Sequence, residues 1–164
     1  MGSHTMNIRH LEERDYLPII TVIDEWWGGR HMADMLPKLF FIHFRDTSFA
    51  VEEHGQIVAF LAGFISQTFP DQAYIHFVGI HPEFRKRGLG RQLYERFFGA
   101  VRERGCRLVR CVTSPVNAGS LAFHTHLGFE VERVTGQYRG APCTLDYDGN
   151  ENHRILFVKH LKQV

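Results

Sequence analysis

The stretch from Tyr74 to Glu103 constrains the fold more than any other part of the sequence. Tyr74 to Ile80 is apolar on both sides apart from His76, which predicts a buried strand in the middle of a sheet. Two glycines, Gly88 and Gly90, follow within a basic segment. Beyond them, apolar residues recur every four positions and predict the buried stripe of an amphipathic helix, formed by Leu89, Leu93, Phe97 and Val101. A strand that leads through a short glycine turn into a helix indicates a layered α/β domain.

The other predicted elements complete one sheet and its helices. Helical spacing of apolar residues predicts helices over residues 13–27, 33–44 and 117–127. Apolar and polar residues alternate in a hairpin over 49–63, and further strands are predicted over 7–10, 108–113, 129–134 and 155–161. Asn117 is a natural N-cap for the last helix, which Gly128 ends. The predicted fold is a mixed α/β domain in which helices cover one central sheet.

Composition limits the classes of protein that this chain can belong to. With 164 residues, 44% of them hydrophobic and 23% charged, it is expected to form one globular domain. No apolar run approaches the roughly 20 residues of a membrane helix, and the start lacks a signal-peptide core, so we expect a cytoplasmic protein without membrane contact. Residues 1–6, MGSHTM, resemble a cloning leader, which leaves 7–164 as the domain. Three cysteines without zinc-ligand spacing predict reduced thiols and no metal.

Positive charge is concentrated in one part of a nearly neutral chain. Residues 85–110 contain nine basic and two acidic residues, whereas the rest of the chain contains ten basic and sixteen acidic ones. A helix start adds unpaired N–H groups and roughly half a positive elementary charge. Gly88 and Gly90 would let the backbone approach a bulky anion, and cationic side chains would line its rim, namely Arg85, Lys86, Arg87 and Arg91. This combination predicts a phosphate or pyrophosphate ligand.

Two motifs identify a family for this phosphate site. Neither the Rossmann pattern nor the P-loop pattern is present around Gly88. The pattern Arg85-x-x-Gly88-x-Gly90, between a strand and a helix, resembles the signature of the GNAT superfamily of acyl-CoA-dependent N-acyltransferases. NAGSLAFHTHLGFE, residues 117–130, is similar to a later motif of that family. The resemblance implies a mostly antiparallel central sheet flanked by helices, and a single N-acetyltransferase domain over 7–164 that uses acetyl-CoA and no metal.

The resemblance also implies which residues bind the cofactor. Backbone N–H groups from Arg87 to Arg91, through Gly88, Leu89 and Gly90, would hold the CoA pyrophosphate beside Arg85 and Lys86. Backbone groups of Val78 and Ile80 would pair with the pantetheine arm as an added strand would. Asn117 matches the family residue that touches this arm.

Acyl transfer to an amine requires a base and, in many family members, an acid. The family often places a Glu on the central strand, and His76 lies in that region here; imidazole has an ordinary pKa near 6.5, suited to general base catalysis. Many members carry a Tyr acid where this sequence has His124. His124 is therefore a candidate proton donor to the leaving thiolate, and Tyr138 and Tyr147 are the alternatives.

The partners that these features predict are an acetyl-CoA cosubstrate and a small-molecule or peptide amine. The acceptor is not specified further, and a homodimer is a possibility that the family suggests. Two other functions stay open at this point. The chain could be a CoA-binding module without catalysis, since the family Tyr is missing, or a nucleic-acid-binding domain that uses the basic stretch 85–110. Near-neutral total charge and the lack of an aromatic and basic platform disfavour nucleic acid as a partner.

Overall fold

A seven-stranded sheet forms the centre of the protein. In the computed structural model, which describes residues 6–163, its strands are β1 Asn7–His10, β2 Phe49–Glu53, β3 Gln56–Ile65, β4 Gln72–Ile80, β5 Leu108–Thr113, β6 Glu130–Glu132 and β9 Ile155–His160. Their order across the sheet is β1-β2-β3-β4-β5-β9-β6. Only the β4–β5 pair is parallel among these neighbours. The predicted mixed, mostly antiparallel sheet is confirmed, with β4 in its middle. The predicted leader, apart from Met6, lies outside the described residues.

Helices cover both faces of this sheet. They are α1 Tyr16–Ile20, α2 Ile23–Trp26, α3 Leu39–His43, α4 Leu89–Glu103 and α5 Ser120–His126. The stripe of α4 is buried on one face, where it packs with apolar side chains of β2, β3, β5 and β9. The short helices α1, α2 and α3 form a second cluster on the opposite face with Phe60 and Phe77. Two apolar layers therefore enclose the sheet, and β4 contributes to both.

The two parallel strands part after a short contact. β4 pairs with β5 only from Gln72 opposite Leu108 to Tyr74 opposite Arg110. β5 continues with β9 as far as Thr113, whereas β4 continues with β3 as far as Ile80. The second half of β4 consequently has a strand partner on one side only.

A β-bulge at His76 changes which way the side chains of β4 point. Gly63 lies opposite Ile75 and Ala62 opposite Phe77, so His76 is an extra residue without a cross-strand partner. Phe77 belongs to the cluster of the short helices, whereas Val78 and Ile80 pack against the cluster of α4. Because Ile75 packs in the cluster of α4, alternation places His76 on the opposite face, and the bulge then puts Phe77 on that same face.

The two helices predicted near the N-terminus are interrupted in the structure. The hydroxyl of Thr21 donates to the Leu17 carbonyl at 2.9 Å and ends α1, after which α2 begins at Ile23. The helix predicted over 33–44 is reduced to a 3-10 turn, Ala33–Met35, and α3, since the residue before Pro37 is not helical. With these interruptions, the apolar side chains of the short helices point toward the sheet.

A small hairpin in the polar stretch before β9 was not predicted. β7 Gly136–Tyr138 pairs with β8 Ala141–Cys143. Its turn residues, Arg139 and Gly140, have φ of +50° and +82°, the geometry of a two-residue hairpin. Strands of three residues, one with a proline, lack the alternation that predicts a strand. Within residues 6–163, no helix combines the length and the hydrophobicity that a membrane span requires.

Two glycine substitutions should change the stability in opposite directions. A Cβ at Gly63 would lie 2.5 Å from the Phe97 ring and 2.9 Å from the Tyr74 carbonyl, so Gly63→Ala should lower the free energy of unfolding by about 1–3 kcal/mol. At Gly99, inside α4, a Cβ would meet nothing within 4 Å, and Gly99→Ala should raise it by about 0.5–1 kcal/mol. Urea unfolding followed by circular dichroism measures both. A Gly63→Ala variant as stable as the wild type would contradict the packing described.

Candidate active site

The start of α4 presents backbone donors that the helix does not use. Its first hydrogen bond runs from the Gln92 N–H to the Gly88 carbonyl, at 3.1 Å. The N–H groups of Leu89, Gly90 and Arg91 therefore lack an acceptor within the helix, and no other group in residues 6–163 accepts from them. With the positive end of the helix dipole behind them, these three donors suit an anion.

Gly88 and Gly90 are needed for different reasons. Gly88 has a φ of +78°, which L-residues rarely adopt, and nothing lies within 4 Å of where its Cβ would be. A Cβ at Gly90 would lie 3.1 Å from the Phe123 ring and 3.3 Å from the Ile80 side chain. Gly88 thus leaves the space before α4 open, whereas Gly90 lets α4 approach β4 and α5 closely.

The basic side chains beside these glycines divide into two groups. The guanidinium of Arg85 donates to the Trp26 carbonyl at the end of α2 and so ties the glycine turn to the opposite face. The other three are exposed around the start of α4: Lys86, Arg87 and Arg91. These three are available to an anion, and Arg85 is held by the protein itself.

The free edge of β4 runs toward this helix start. The His81 N–H donates to the Val58 carbonyl of β3 at 2.8 Å. Because peptide groups of a strand point alternately to its two sides, those of Val78 and Ile80 point away from β3, toward β5. Pairing with β5 ends at Tyr74, and no backbone group in residues 6–163 bonds to them across the gap. Val78 and Ile80 therefore offer an extended ligand the hydrogen bonds of a missing strand.

Asn117 does not act as the N-cap that its sequence position predicted. The helix begins at Ser120, and Gly119, with a φ of +88°, precedes it. The Asn117 amide instead donates to the Thr113 hydroxyl at 3.4 Å, at the end of β5. It therefore lies across the gap from β4, and its prediction as a pantetheine contact stays a prediction.

His76 is held in one orientation by one contact with α3 and one with the 3-10 turn before it. Its ring stacks on Phe40 of α3 with the centroids 4.4 Å apart and the planes 3° apart. Its Nε2 bonds to the Met35 carbonyl, which can only accept, so Nε2 carries a hydrogen. In the neutral ring Nδ1 then has the lone pair, and no hydrogen-bond donor in residues 6–163 occupies it. A neutral imidazole with a free basic nitrogen is the form that a general base requires.

His124 lies in the core and not at the gap. It is 7% exposed and stacks on Phe157, with the centroids 4.4 Å apart. Its Nδ1 lies 2.8 Å from the Ser120 carbonyl and therefore donates, so its Nε2 accepts from the Tyr94 hydroxyl at 2.9 Å. Burial lowers the pKa of His124, which keeps the ring neutral. No proton of His124 is free for a ligand, and the arrangement favours a role in joining α5 to α4.

The sequence alone did not reveal the groups that hold the two histidines. Tyr94 lies in the apolar stripe of α4, where a tyrosine is typical of core, and its hydroxyl has no sequence pattern that links it to His124. The carbonyl of Met35 carries no side-chain signal at all. Two tyrosines were the alternative acids. Tyr138 packs beside His153 in the β7–β8 region, and Tyr147 is 40% exposed after β8.

Comparison with known proteins gives the family and the fold of the chain. The model of the Acetyltransferase (GNAT) family matches residues 7–129. The ribosomal protein bS18-alanine N-acetyltransferase of Escherichia coli K12 is 28% identical over 112 residues, which are 68% of this chain and 70% of the relative. A GNAT-family crystal structure from Desulfovibrio desulfuricans has a TM-score of 0.79 at 18% identity and covers 96% of this chain and 100% of its own. Diaminobutyrate acetyltransferase EctA from Paenibacillus lautus, in complex with L-2,4-diaminobutyric acid and coenzyme A, has a TM-score of 0.70 at 20% identity, covering 97% and 96%.

The chain belongs to the GNAT acetyltransferase family. It is an acyltransferase, and the cosubstrate of the family is acetyl-CoA. The open helix start and the free edge of β4 suit two adjacent parts of that molecule, since one offers donors to a pyrophosphate and the other offers a peptide edge to the amide-bearing arm. Residues 6–163 contain no group of three or more His, Cys, Asp or Glu side chains placed to hold a metal ion.

The buried state of His124 predicts a pH dependence of stability. Below about pH 6.5 the unfolded chain protonates this residue, whereas the native imidazole stays neutral to lower pH. The unfolded state then binds more protons, so the free energy of unfolding should fall as the pH drops. His124→Gln should reduce this slope between about pH 7 and pH 5, and His126→Gln, an exposed neighbour, should leave it unchanged. Urea unfolding midpoints measured across this pH range give the slope. Equal slopes in the wild type and in His124→Gln would contradict a buried, neutral His124.

Proposed function

We propose that the protein transfers an acetyl group directly from acetyl-CoA to a primary amine while both are bound. The observation that carries this proposal is the free edge of β4, which begins beside His76 and leads to the open start of α4. Acetyl-CoA supplies the acetyl group as a thioester. Binding, orientation and proton transfer are assigned to residues of this chain.

The cofactor would be held by backbone groups along this path. The N–H groups of Leu89, Gly90 and Arg91 would bind the pyrophosphate, with Lys86 and Arg87 adding charge at the rim. The peptide groups of Val78 and Ile80 would bind the pantetheine arm, and Asn117 would approach it from the β5 side. Backbone donors fixed by a helix and a sheet need no reorganisation when the ligand arrives.

His76 is proposed to take the proton of the amine. A lysine-like amine with a pKa near 10.4 loses its proton at pH 7 at a cost of about 4.6 kcal/mol, whereas an α-amine with a pKa near 8 costs only about 1.4 kcal/mol. The free Nδ1 of His76 can accept the proton, and the Met35 carbonyl and the Phe40 ring hold the ring in place. Imidazole is better matched to the less basic amine.

A dedicated acid is not indispensable for the leaving thiolate. An aliphatic thiol with a pKa near 8.5 is released as thiolate at pH 7 at a cost of about 2 kcal/mol. That cost corresponds to about thirtyfold in rate, which the roughly hundredfold or greater gain from a base can offset. The buried state of His124 is therefore compatible with turnover, and Tyr147 remains the exposed alternative.

Direct transfer is favoured over a cysteine relay by the state of the thiols. Cys106, Cys111 and Cys143 are 1%, 4% and 1% exposed. Burial raises the pKa of Cys106 and Cys111, so neither forms a ready nucleophile. We expect the mass of the protein to stay unchanged after incubation with acetyl-CoA in the absence of an amine.

The acceptor is proposed to be a small or peptide α-amine. The Escherichia coli relative acts on an alanine of a ribosomal protein, and the Paenibacillus lautus structure contains a diamino acid, so relatives of both kinds exist. Binding of nucleic acid by residues 85–110 is less favoured, because Arg104 pairs with Asp46 and Arg110 with Glu132. The basic residues of the stretch therefore do not form one free surface.

Acetyl-CoA binding should depend on Gly88. Gly88→Glu places a carboxylate before the three free N–H groups and should weaken binding at least about tenfold. Gly140→Glu is the matched control, because Gly140 has a φ of +82°, close to the +78° of Gly88, and equally empty surroundings. Calorimetric titration with acetyl-CoA compares them. Equal affinities of the two variants would place the cofactor elsewhere, and wild-type protein that binds none would refute the proposal.

Turnover should depend on His76. His76→Ala should lower kcat by about a hundredfold, because a positioned general base typically contributes at least that much. His126→Ala, which removes an exposed histidine at the end of α5, should have no effect. Thiol release is measured with an alanyl peptide, L-2,4-diaminobutyrate and a lysine side chain as acceptors. Cofactor binding without turnover of any amine would favour a CoA-binding module, and full activity of His76→Ala would assign the base to another residue.

A further inference from the structure

We propose that Asp24 is a positioning residue for His76 and acts through the peptide segment Gly28–Met35. Asp24 lies in α2, more than fifty residues before His76 in the chain. The inference rests on the proposed role of His76 as the base, but its structural part can be tested without any turnover.

The carboxylate of Asp24 holds the segment in a closed loop. Its Oδ1 accepts from the Met32 N–H at 2.8 Å and from the Ala33 N–H at 2.9 Å, at the start of the 3-10 turn Ala33–Met35. Its own carbonyl accepts from the Gly29 N–H at 2.8 Å, near the other end of the loop. The chain can turn back so tightly because Gly28 and Gly29 have φ of +66° and +88°. One residue therefore sets the position of both ends of the segment.

The last carbonyl of this segment sets the state of His76. Met35 ends the 3-10 turn, and its N–H donates to the Met32 carbonyl at 3.0 Å, next to the peptide that Asp24 binds. The Met35 carbonyl accepts from Nε2 of His76 and so selects the tautomer with a free Nδ1. A neutral imidazole without such a partner exchanges between two tautomers, and in one of them Nδ1 carries the hydrogen and cannot act as a base. Displacement of Met35 would therefore let His76 spend part of the time in the tautomer in which Nδ1 carries the hydrogen and has no lone pair for the proton of the amine.

The helix that carries Asp24 is itself held at its end. The carbonyl of Trp26, the last residue of α2, accepts from Arg85, which precedes the glycine turn before α4. The side chain of Asp24 is 39% exposed, and its second oxygen, Oδ2, lies 3.7 Å from Nδ1 of the exposed His31. The two hydrogen bonds to the segment are therefore made by Oδ1 alone.

The direct test is the tautomer of His76, read from its two imidazole nitrogen chemical shifts by NMR. We expect the Nε2–H form in the wild type and a mixture of tautomers in Asp24→Ala. Asp24→Asn keeps an oxygen that can accept from both N–H groups and should restore the Nε2–H form. Asp34→Ala, an exposed carboxylate on the same segment, should leave it unchanged. An Asp24→Ala variant that retains the pure Nε2–H form, with a thermal midpoint at which it is folded, would overturn the proposal.

Kinetics separate this inference from the proposed function. Asp24→Ala should lower kcat about tenfold with the panel amine that the wild type acetylates fastest, and should leave acetyl-CoA affinity unchanged. In a His76→Ala background, the same substitution should have no further effect, because its action passes through His76. An equal loss in both backgrounds would overturn the positioning role of Asp24 while the role of His76 stands. An unchanged kcat in His76→Ala itself would instead refute the proposed base.

Discussion

The parting of β4 from β5 is the constraint on which the rest of the site depends. After three paired residues the two parallel strands diverge, and the peptide groups of Val78 and Ile80 are left without a strand partner. A peptide group that is deprived of both water and a partner costs about 1–3 kcal/mol, so such an edge is stable when it stays open to solvent or to a ligand. β5 stays paired with β9 along its full length, and β4 stays paired with β3, so the gap opens between two strands whose other edges are held in the sheet. The gap is therefore a feature of the backbone arrangement of the sheet.

The bulge at His76 gives the strand a useful pair of faces beside the free edge. Alternation that starts at Ile75 places His76 away from α4, and the extra residue reverses the alternation so that Val78 and Ile80 pack toward α4. His76 accordingly faces Phe40 and the Met35 carbonyl. In the proposed reaction, a cofactor along the α4 side and an amine on the other side would meet at this one strand. The arrangement suits the proposed transfer in a ternary complex, in which the short helices around α2 would border the amine.

Local patterns predicted most of the fold, and long-range contacts account for what they missed. The strands of the central sheet and the long helix α4 could be predicted because period, glycine position and apolar spacing are local properties. The helix predicted over 13–27 is longer than the helices that the structure shows there. The break at Thr21 lets two short helices pack on the sheet, and the spacing of apolar residues does not reveal such a break. Asn117 was wrong as a cap because Gly119 adopts the conformation before the helix.

The chemistry of the site was only partly predictable for the same reason. Gly88 and its neighbours form a contiguous motif, so the glycine turn and the open helix start that suit an anion could be predicted. His124 matched a motif position, but its burial and its bond to Tyr94, thirty residues away, depend on how α4 and α5 pack. The tautomer of His76 depends on a backbone carbonyl 41 residues away, and no residue type in the sequence indicates such a contact.

One measurement tests the central claim most directly: the amide chemical shifts of the protein during titration with acetyl-CoA. The account predicts that the largest changes fall on Leu89, Gly90 and Arg91 at the start of α4, and on Val78 and Ile80 along the free edge of β4. Changes confined to another surface, or saturation without any change at these five amides, would show that the gap between β4 and β5 is not the cofactor site.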